Sequence, residues 1–398
     1  MKERQNINNI KITSLIILIT CALAPLLTAQ EIDIQETEQQ EIDTQEIDYL
    51  NNARIAENLA AFSDPSRIWG NGVERIIEEA YRSCFLTRII GGKIMNLRMP
   101  FAENEERNIL DGARFNVVRG GKGNPDTLWP LIEEILDSPE FAAYERTVSD
   151  GKEQVIIFDI HTKRWRSSRD FFDIARMKAG SYRGLFHRPY VLVSGQGIEV
   201  SDVYNYLYCV GHVGMDCSGF VWYVLSYIAR ADNYDLGRHI IRSLGLHISR
   251  DPAWYVGTSF FNSESSLLIP VKDEIINLRP ADIILFRGYD GEMSHSAIIQ
   301  SVDFTKGIIR YLQCTDEAPL HERGVHESFI YFNPAYPNVS LNDTSLNWSQ
   351  RRFSPFPGER DSSFSNDGQR YRAYASLGGS RVVRLRPLIP VIERLNKN

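Results

Sequence analysis

Cys217 is the residue whose setting most favours covalent chemistry. An acidic residue precedes it, and the apolar residues that follow recur at helical spacing, which predicts a thiol at the start of a buried helix. The positive end of a helix stabilises a thiolate, and the thiolate is the form that attacks a carbonyl carbon. Since a structural cysteine would more naturally lie inside the apolar stripe, Cys217 is the candidate nucleophile.

His295 could be the base that takes the proton of this thiol. It lies near the start of the β-rich run Ser294–Ile299, which follows a second such run, Asp282–Phe286, after a polar loop. An imidazole at the border of a loop and a strand can face the end of a neighbouring helix. Taken alone, the position is more typical of a partly exposed strand histidine that makes one backbone hydrogen bond.

Gln313 is the candidate third member of the group. It ends a run that reads as the return strand of a hairpin. If Val302 pairs with Ile308, the alternation of side chains places this glutamine diagonal to His295 on the same face. Its amide oxygen could then fix the tautomer of the imidazole ring. A slip of one residue in the register would remove this contact.

These residues lie in sequence runs that resemble the NlpC/P60 cysteine peptidases of bacterial cell-wall turnover. The resemblance covers roughly Pro189 to the C-terminus. The matching runs are Asp216–Val221 (DCSGFV), Arg279–Phe286 (RPADIILF) and Ser294–Ile298 (SHSAI). The resemblance implies a papain-like α+β fold in which the nucleophile helix packs against an antiparallel sheet. Ala281 stands where the family commonly has glycine.

The resemblance also implies the chemistry. It carries over Cys217 as the nucleophile, His295 as the general base and acid, and Gln313 as the polar third residue, with no cofactor and no metal. The expected reaction is hydrolysis of peptidoglycan stem peptides at a D-γ-glutamyl bond, through an acyl-enzyme. The alternative is a catalytically silent module of the same fold that holds wall peptides without cutting them.

The family's substrate-binding residues map onto positions around the cysteine. Asp216 and Ser218 are expected to hold the free amine end of the stem peptide. A tyrosine in a Tyr-x-x-Gly segment contributes as well, and Tyr208 matches that pattern, with Tyr190 as a competing match. A segment of about residues 232–277 separates the nucleophile helix from the next matching run. It could cover the substrate groove or pack on the surface as a satellite.

A metal site is a further alternative at the same place. Cys209 and His212, with Cys217 nearby, could supply three ligands. No matching second pair exists in the sequence, and a zinc ion would consume the nucleophile. We therefore expect no metal.

The N-terminus predicts export. Basic residues precede an apolar run from Ile12 to Leu27, so residues 1–29 are expected to be a signal peptide cleaved after Ala29. A retained anchor and a lipoprotein signal ending at Cys21 are the alternatives. Residues 30–48 are acidic and rich in glutamine, which is typical of a disordered spacer. We expect a periplasmic or envelope-associated protein.

Composition bounds the remaining functions. A net charge of −7 over 398 residues leaves no basic stripe for nucleic acid. No second apolar run approaches the length that spans a bilayer, so no membrane span is expected in the mature chain. Helical patterns predict a mainly helical region of unknown role at residues 49–185. The catalytic domain is expected at residues 186–398.

Overall fold

The computed structural model describes most of the chain from residue 70 to residue 397. The described residues are 70–102, 107–110, 113–116, 122–149, 154–159, 164–168, 190–193, 197–207, 211, 213–249, 251–288, 291–315, 323–349 and 367–397. The predicted signal peptide and spacer lie outside them, and so do Tyr208, Cys209 and His212. Expectations for those positions stay predictions.

The protein has an α+β fold with a large antiparallel sheet of seven strands. The α-helices of the described residues are α1 (Val73–Arg82), α2 (Pro125–Leu136), α3 (Pro139–Val148), α4 (Val200–Tyr206), α5 (Cys217–Ala231), α6 (Leu236–Ser243), α7 (Thr258–Phe261), α8 (Asp367–Arg372) and α9 (Ile389–Leu395). The strands are β1 (Phe85–Ile90), β2 (Lys93–Arg98), β3 (Arg107–Leu110), β4 (Ala113–Asn116), β5 (Gln154–Asp159), β6 (Arg164–Ser168), β7 (Tyr190–Val193), β8 (Leu268–Val271), β9 (Ile283–Arg287), β10 (Met293–Asp303), β11 (Ile308–Thr315), β12 (Gly324–Tyr331), β13 (Asn347–Ser349) and β14 (Arg381–Leu385). The large sheet has the strand order β13-β12-β11-β10-β9-β14-β8.

Two hydrophobic clusters cover the two faces of this sheet. Ile298 and Leu312 belong to the first cluster, which also contains the buried side chains of α5. Ala297 and Ile299 belong to the second cluster. Because successive side chains of a strand point to opposite faces, β10 supplies both clusters. The predicted packing of the cysteine-bearing helix against an antiparallel sheet is thus present.

Core packing fixes the position of α5. Val221, Val224 and Leu225 of this helix have no exposed surface. Full burial of such a side chain contributes roughly 1.5–3 kcal/mol to the free energy of unfolding. The helix can therefore hold its first residue, Cys217, at a defined place relative to the sheet.

The register of the β10–β11 hairpin differs from the prediction at the turn and agrees with it further along. Val302 pairs with Ile309 instead of Ile308, but the register shifts by one residue between Ile299 and Ser301, so that Ile298 pairs with Leu312. The shift cancels the error at the turn. The bulge lies at Gln300, which is buried and whose side-chain amide donates to the main-chain oxygen of Glu74 in α1 at 3.1 Å.

The prediction of a mainly helical N-terminal region is wrong for its described residues. Helices α1, α2 and α3 alternate there with the hairpins β1–β2 and β3–β4 and with the sheet β6-β5-β7. Helix α1 ends at Arg82, and β1 begins at Phe85. Gly91 and Gly92 both have positive φ, at 60° and 74°, and turn the chain into β2. A Gly-Gly pair between apolar runs is a hairpin signal.

The N-terminal region shares its core with the rest of the described chain. The first cluster contains residues of α1, α2 and α3 together with residues of α5 and of the large sheet. The segments before and after the expected domain boundary at residue 185 therefore bury their side chains in one common core. Strand β14, near the C-terminus, lies between β9 and β8 in the large sheet.

Candidate active site

Cys217 is the first residue of α5, and its side chain is 6% exposed. Asp216 caps the helix, because its carboxylate accepts a hydrogen bond from the backbone N–H of Gly219. Aspartate at this position satisfies one of the backbone donors that a helix start leaves open. The sequence thus predicted correctly that the thiol lies at the first turn of a buried helix.

The segment of residues 232–277 borders the thiol. The hydroxyl of Thr258, at the start of α7, lies 3.9 Å from the sulfur of Cys217. Phe260 and Phe261 of the same short helix are buried in the first cluster. Since β8 of this segment also pairs with β14, the segment is integrated into the fold and is not a surface satellite.

His295 and Gln313 meet, as the predicted register requires. Nε2 of the imidazole lies 2.6 Å from the side-chain oxygen of Gln313. The amide nitrogen of Gln313 donates to the hydroxyl of Ser328 and to the carboxylate of Asp367, both at 2.9 Å. A carboxylate can only accept, so the amide nitrogen must face Asp367 and the amide oxygen must face the ring. The neutral imidazole therefore carries its proton on Nε2, and Nδ1 is its acceptor atom.

Asp367, in α8, is the residue of this network that the sequence did not reveal. Its carboxylate also accepts a hydrogen bond from the hydroxyl of Tyr311 at 2.7 Å, and it is 1% exposed. Burial raises the pKa of this carboxyl, but the hydrogen bonds from Tyr311 and Gln313 and the charge of Arg370 bring the pKa below its ordinary value. Asp367 is thus an anion that orients Gln313.

The imidazole of His295 is held neutral. Burial, with the nearby charge of Arg370, lowers the pKa of His295 to about 4, against the smaller opposing effects of Asp367 and Gln313. The ring of Phe286 packs against it with 5.4 Å between centroids. A neutral imidazole with a fixed tautomer has a lone pair on Nδ1 that can accept a proton, and the lowered pKa makes it a weaker base than an exposed histidine.

Cys217 and His295 are associated with different hydrophobic clusters. His295 follows the alternation of Ala297 and Ile299, which line the second cluster, whereas α5 packs in the first. The start of α5 nevertheless lies at the same end of the sheet, because the thiol of Cys314 donates to the main-chain oxygen of Met215 at 3.1 Å.

Asp216 and Ser218, the expected amine-binding residues, form a second polar cluster. The hydroxyl of Ser218 donates to Asp216 at 3.0 Å. The ammonium of Lys122, from the N-terminal region, lies 2.9 Å from each carboxylate oxygen of Asp216 and contacts the Ser218 hydroxyl as well. Lys122 lies among glycines in the sequence, and no local pattern pointed to this contact.

The two candidate tyrosines stay untested as substrate contacts. Tyr190 lies in β7 opposite Ile157, and Tyr208 is outside the described residues.

In the part of the chain that the structure describes, no three His, Cys, Asp or Glu side chains are grouped as a metal would require. Over the same residues, no helix combines the length and the apolar composition needed to cross a bilayer.

Comparison of the chain with known proteins found no matching protein-family profile, no matching curated protein and no matching solved structure.

Proposed function

We propose that the protein is an exported cysteine peptidase or amidase of the NlpC/P60 type, with a papain-like catalytic fold. Its proposed substrate is the peptidoglycan stem peptide, cut at a D-γ-glutamyl bond. The observation that carries the proposal is the hydrogen bond between His295 and Gln313, at the end of the sheet where α5 begins. It leaves Nδ1 of a neutral imidazole as an acceptor for a thiol proton.

The proposed reaction has two steps. Nδ1 of His295 takes the proton of Cys217, and the thiolate attacks the amide carbon, so that a carbon–sulfur bond forms. The tetrahedral oxyanion is stabilised by backbone N–H groups at the start of α5, whose helix dipole favours negative charge there. His295 then returns the proton to the leaving amine as the carbon–nitrogen bond breaks. Water releases the acyl group by the same route.

Catalysis of this kind requires the thiol and the imidazole to meet. Both lie at the end of the sheet marked by the contact between Cys314 and Met215. Catalytic hydrogen bonds are often long in substrate-free enzymes and tighten when substrate binds. Because the two side chains belong to opposite faces of the sheet, we propose that they meet around its end when substrate binds beside Thr258.

A silent binding module is the second candidate. It is favoured by the placement of His295 with the second core cluster, while Cys217 begins a helix of the first. In a silent module the groove would hold wall peptides, and the cysteine would serve only as a small side chain at a helix start. The two candidates differ in whether any amide bond is cut.

The test is release of peptides from purified stem peptides, followed by mass spectrometry. The native chain is expected to cut one amide bond, and Cys217→Ser is expected to abolish the product. Cys84→Ser is the matched control, because Cys84 is fully buried and burial raises the pKa of its thiol. Equal product from the native chain and Cys217→Ser would refute the peptidase, and no product from either would favour the silent module.

A further inference from the structure

The expected amine-binding position is already filled by a side chain of this protein. The ammonium of Lys122 lies 2.9 Å from both carboxylate oxygens of Asp216 and contacts the hydroxyl of Ser218. The Lys122 side chain is only 9% exposed. An incoming free amine would need the same acceptors and would bring a second positive charge to the same carboxylate.

Lys122 is held in place by a packed helix. It lies three residues before α2, which begins at Pro125 with a capping box formed by Asn124 and Thr127. Leu128 of α2 is buried in the first cluster, and the indole N–H of Trp129 donates to the main-chain oxygen of Ser83 at 2.9 Å. These anchors make the ammonium a fixed part of the site instead of a movable cover.

A cavity of about 300 Å³ continues from Lys122 along α5. Trp222 and Ser226 line it, and they follow Ser218 at intervals of four residues, so the cavity lies on the same side of the helix. Arg230 and Asp251 also line it. The buried hydroxyl of Ser226 has no hydrogen-bond partner within the described residues, so it can bond to a ligand carbonyl or amide.

We infer that Lys122 is a specificity-determining residue, and that the site takes peptides whose amino end is blocked by an amide instead of bearing a free amine. The inference rests on the proposed function, because it concerns the acyl side of the same substrate. The ammonium neutralises Asp216, so the carboxylate no longer attracts a positively charged amino end. The blocking group extends into the cavity beside Trp222 and Ser226.

The test is a binding titration by calorimetry with Cys217→Ala, which binds without cutting. The probes are an L-alanyl-γ-D-glutamyl peptide with a free amine and the same peptide with an N-acetyl group. The protein is expected to bind the acetylated peptide at least about tenfold more tightly, which corresponds to about 1.4 kcal/mol. Adding Lys122→Met is expected to improve binding of the free amine by at least tenfold, with no such gain for the acetylated peptide.

Lys122→Arg is the matched variant, since it keeps the charge and is expected to keep the preference. It also serves if Lys122→Met lowers the melting temperature too far for titration. Three results would overturn the inference: tighter binding of the free amine by the starting protein, an equal gain for both peptides in Lys122→Met, or no binding of either peptide. An equal gain would identify Lys122 as an inhibitory plug.

Failure of the proposed chemistry would be seen separately. Binding does not need the Cys217 thiol, so a preference for the blocked peptide can be measured even if the native chain cuts neither peptide. Conversely, a native chain that cuts both peptides at equal rates would keep the peptidase and remove the role of Lys122.

Discussion

Two buried polar clusters lie near the start of α5, and they differ in what they fix. In the first, the histidine network, Asp367, Gln313 and His295 are joined by hydrogen bonds of 2.9 and 2.6 Å. In the second, the lysine–aspartate pair, Lys122 and Asp216 form an ion pair at 2.9 Å. The first determines which nitrogen of a neutral ring carries the proton. The second determines which charge the neighbouring subsite can accept.

The two polar clusters are expected to affect different steps of the reaction. A change in the histidine network should alter the rate of bond cleavage for every substrate, because it acts on the proton of the imidazole. A change in the lysine–aspartate pair should alter which peptide binds, because Asp216 is an expected contact of the peptide's amino end. The predictions below are ordered by the size of the expected effect.

The largest effect is expected from His295→Ala. Loss of a general base and acid lowers rates by about 10²–10⁴-fold. The peptide-release assay should show a fall of this size in kcat/KM, with the binding preference for the blocked peptide unchanged. If the variant bound peptide more weakly but cleaved bound peptide at the native rate, His295 would be a binding residue and not the general base.

Asp367→Asn tests whether the histidine network acts by fixing the tautomer of the imidazole. An asparagine amide can donate as well as accept, so Gln313 can turn over and present its nitrogen to His295. We expect kcat to fall about 10–100-fold, as is common when an orienting residue is lost. Nitrogen NMR should show the imidazole proton on Nε2 in the native chain. In the variant it should show a mixture of the two neutral tautomers, with the proton on Nε2 in one and on Nδ1 in the other.

Loss of activity without a change in the protonated nitrogen would show that Asp367 is merely structural. Ser328→Ala is a matched control, because it removes one hydrogen bond of the Gln313 amide and leaves the carboxylate in place. Its NMR spectrum should resemble that of the native chain.

The neutral state of His295 makes stability depend on pH. The pKa of His295 is lowered to about 4 in the folded chain, while an unfolded histidine titrates near 6.5. Between these values the unfolded state binds more protons, so stability is complete above about pH 6.5 and is lost as the pH falls towards 4. From pH 7 to pH 5 this residue should cost about 2 kcal/mol.

Urea unfolding at the two pH values measures this cost. His295→Gln, which has no proton to gain, should lose about 2 kcal/mol less than the native chain over the same interval. His326, whose pKa burial lowers to about 3, contributes a similar dependence that both proteins share. An equal loss in the native chain and the variant would mean that His295 is not held neutral.

The smallest effect is expected at Ala281, which lies outside both clusters. Its φ of 71° is in the left-handed region that favours glycine. Ala281→Gly should raise the free energy of unfolding by about 0.5–1 kcal/mol, because relief of strain exceeds the added entropy of the unfolded chain. Peptide release and binding preference should not change, and a lower melting temperature would contradict the account of strain.

Local patterns were enough to predict where Cys217, His295 and Gln313 lie on the secondary-structure elements. Apolar periodicity and an acidic cap placed Cys217 at a helix start, and β-rich runs placed His295 and Gln313 on adjacent strands. The agreement in register depended on the bulge at Gln300, which is held by α1 and has no local signal. The prediction was therefore correct at the site for a reason that the sequence did not contain.

The remaining residues of the two polar clusters, Lys122 and Asp367, are placed by contacts between distant parts of the chain. Lys122 reaches Asp216 across 94 residues, and Asp367 reaches Gln313 across 54. Both are charged residues in polar or glycine-rich surroundings, where a solvent-exposed side chain is the ordinary expectation. Such pairs become visible only when the packing of α2 and α8 is known.

Alkylation of Cys217 by iodoacetamide tests the central claim most directly, because it reads the thiolate that His295 is proposed to generate. Site-resolved mass spectrometry would follow the peptides containing Cys217 and Cys84 at pH 7. The account predicts that Cys217 reacts much faster than Cys84 in the native chain and at least about tenfold more slowly in His295→Ala. The same Cys217 rate in both proteins would contradict it.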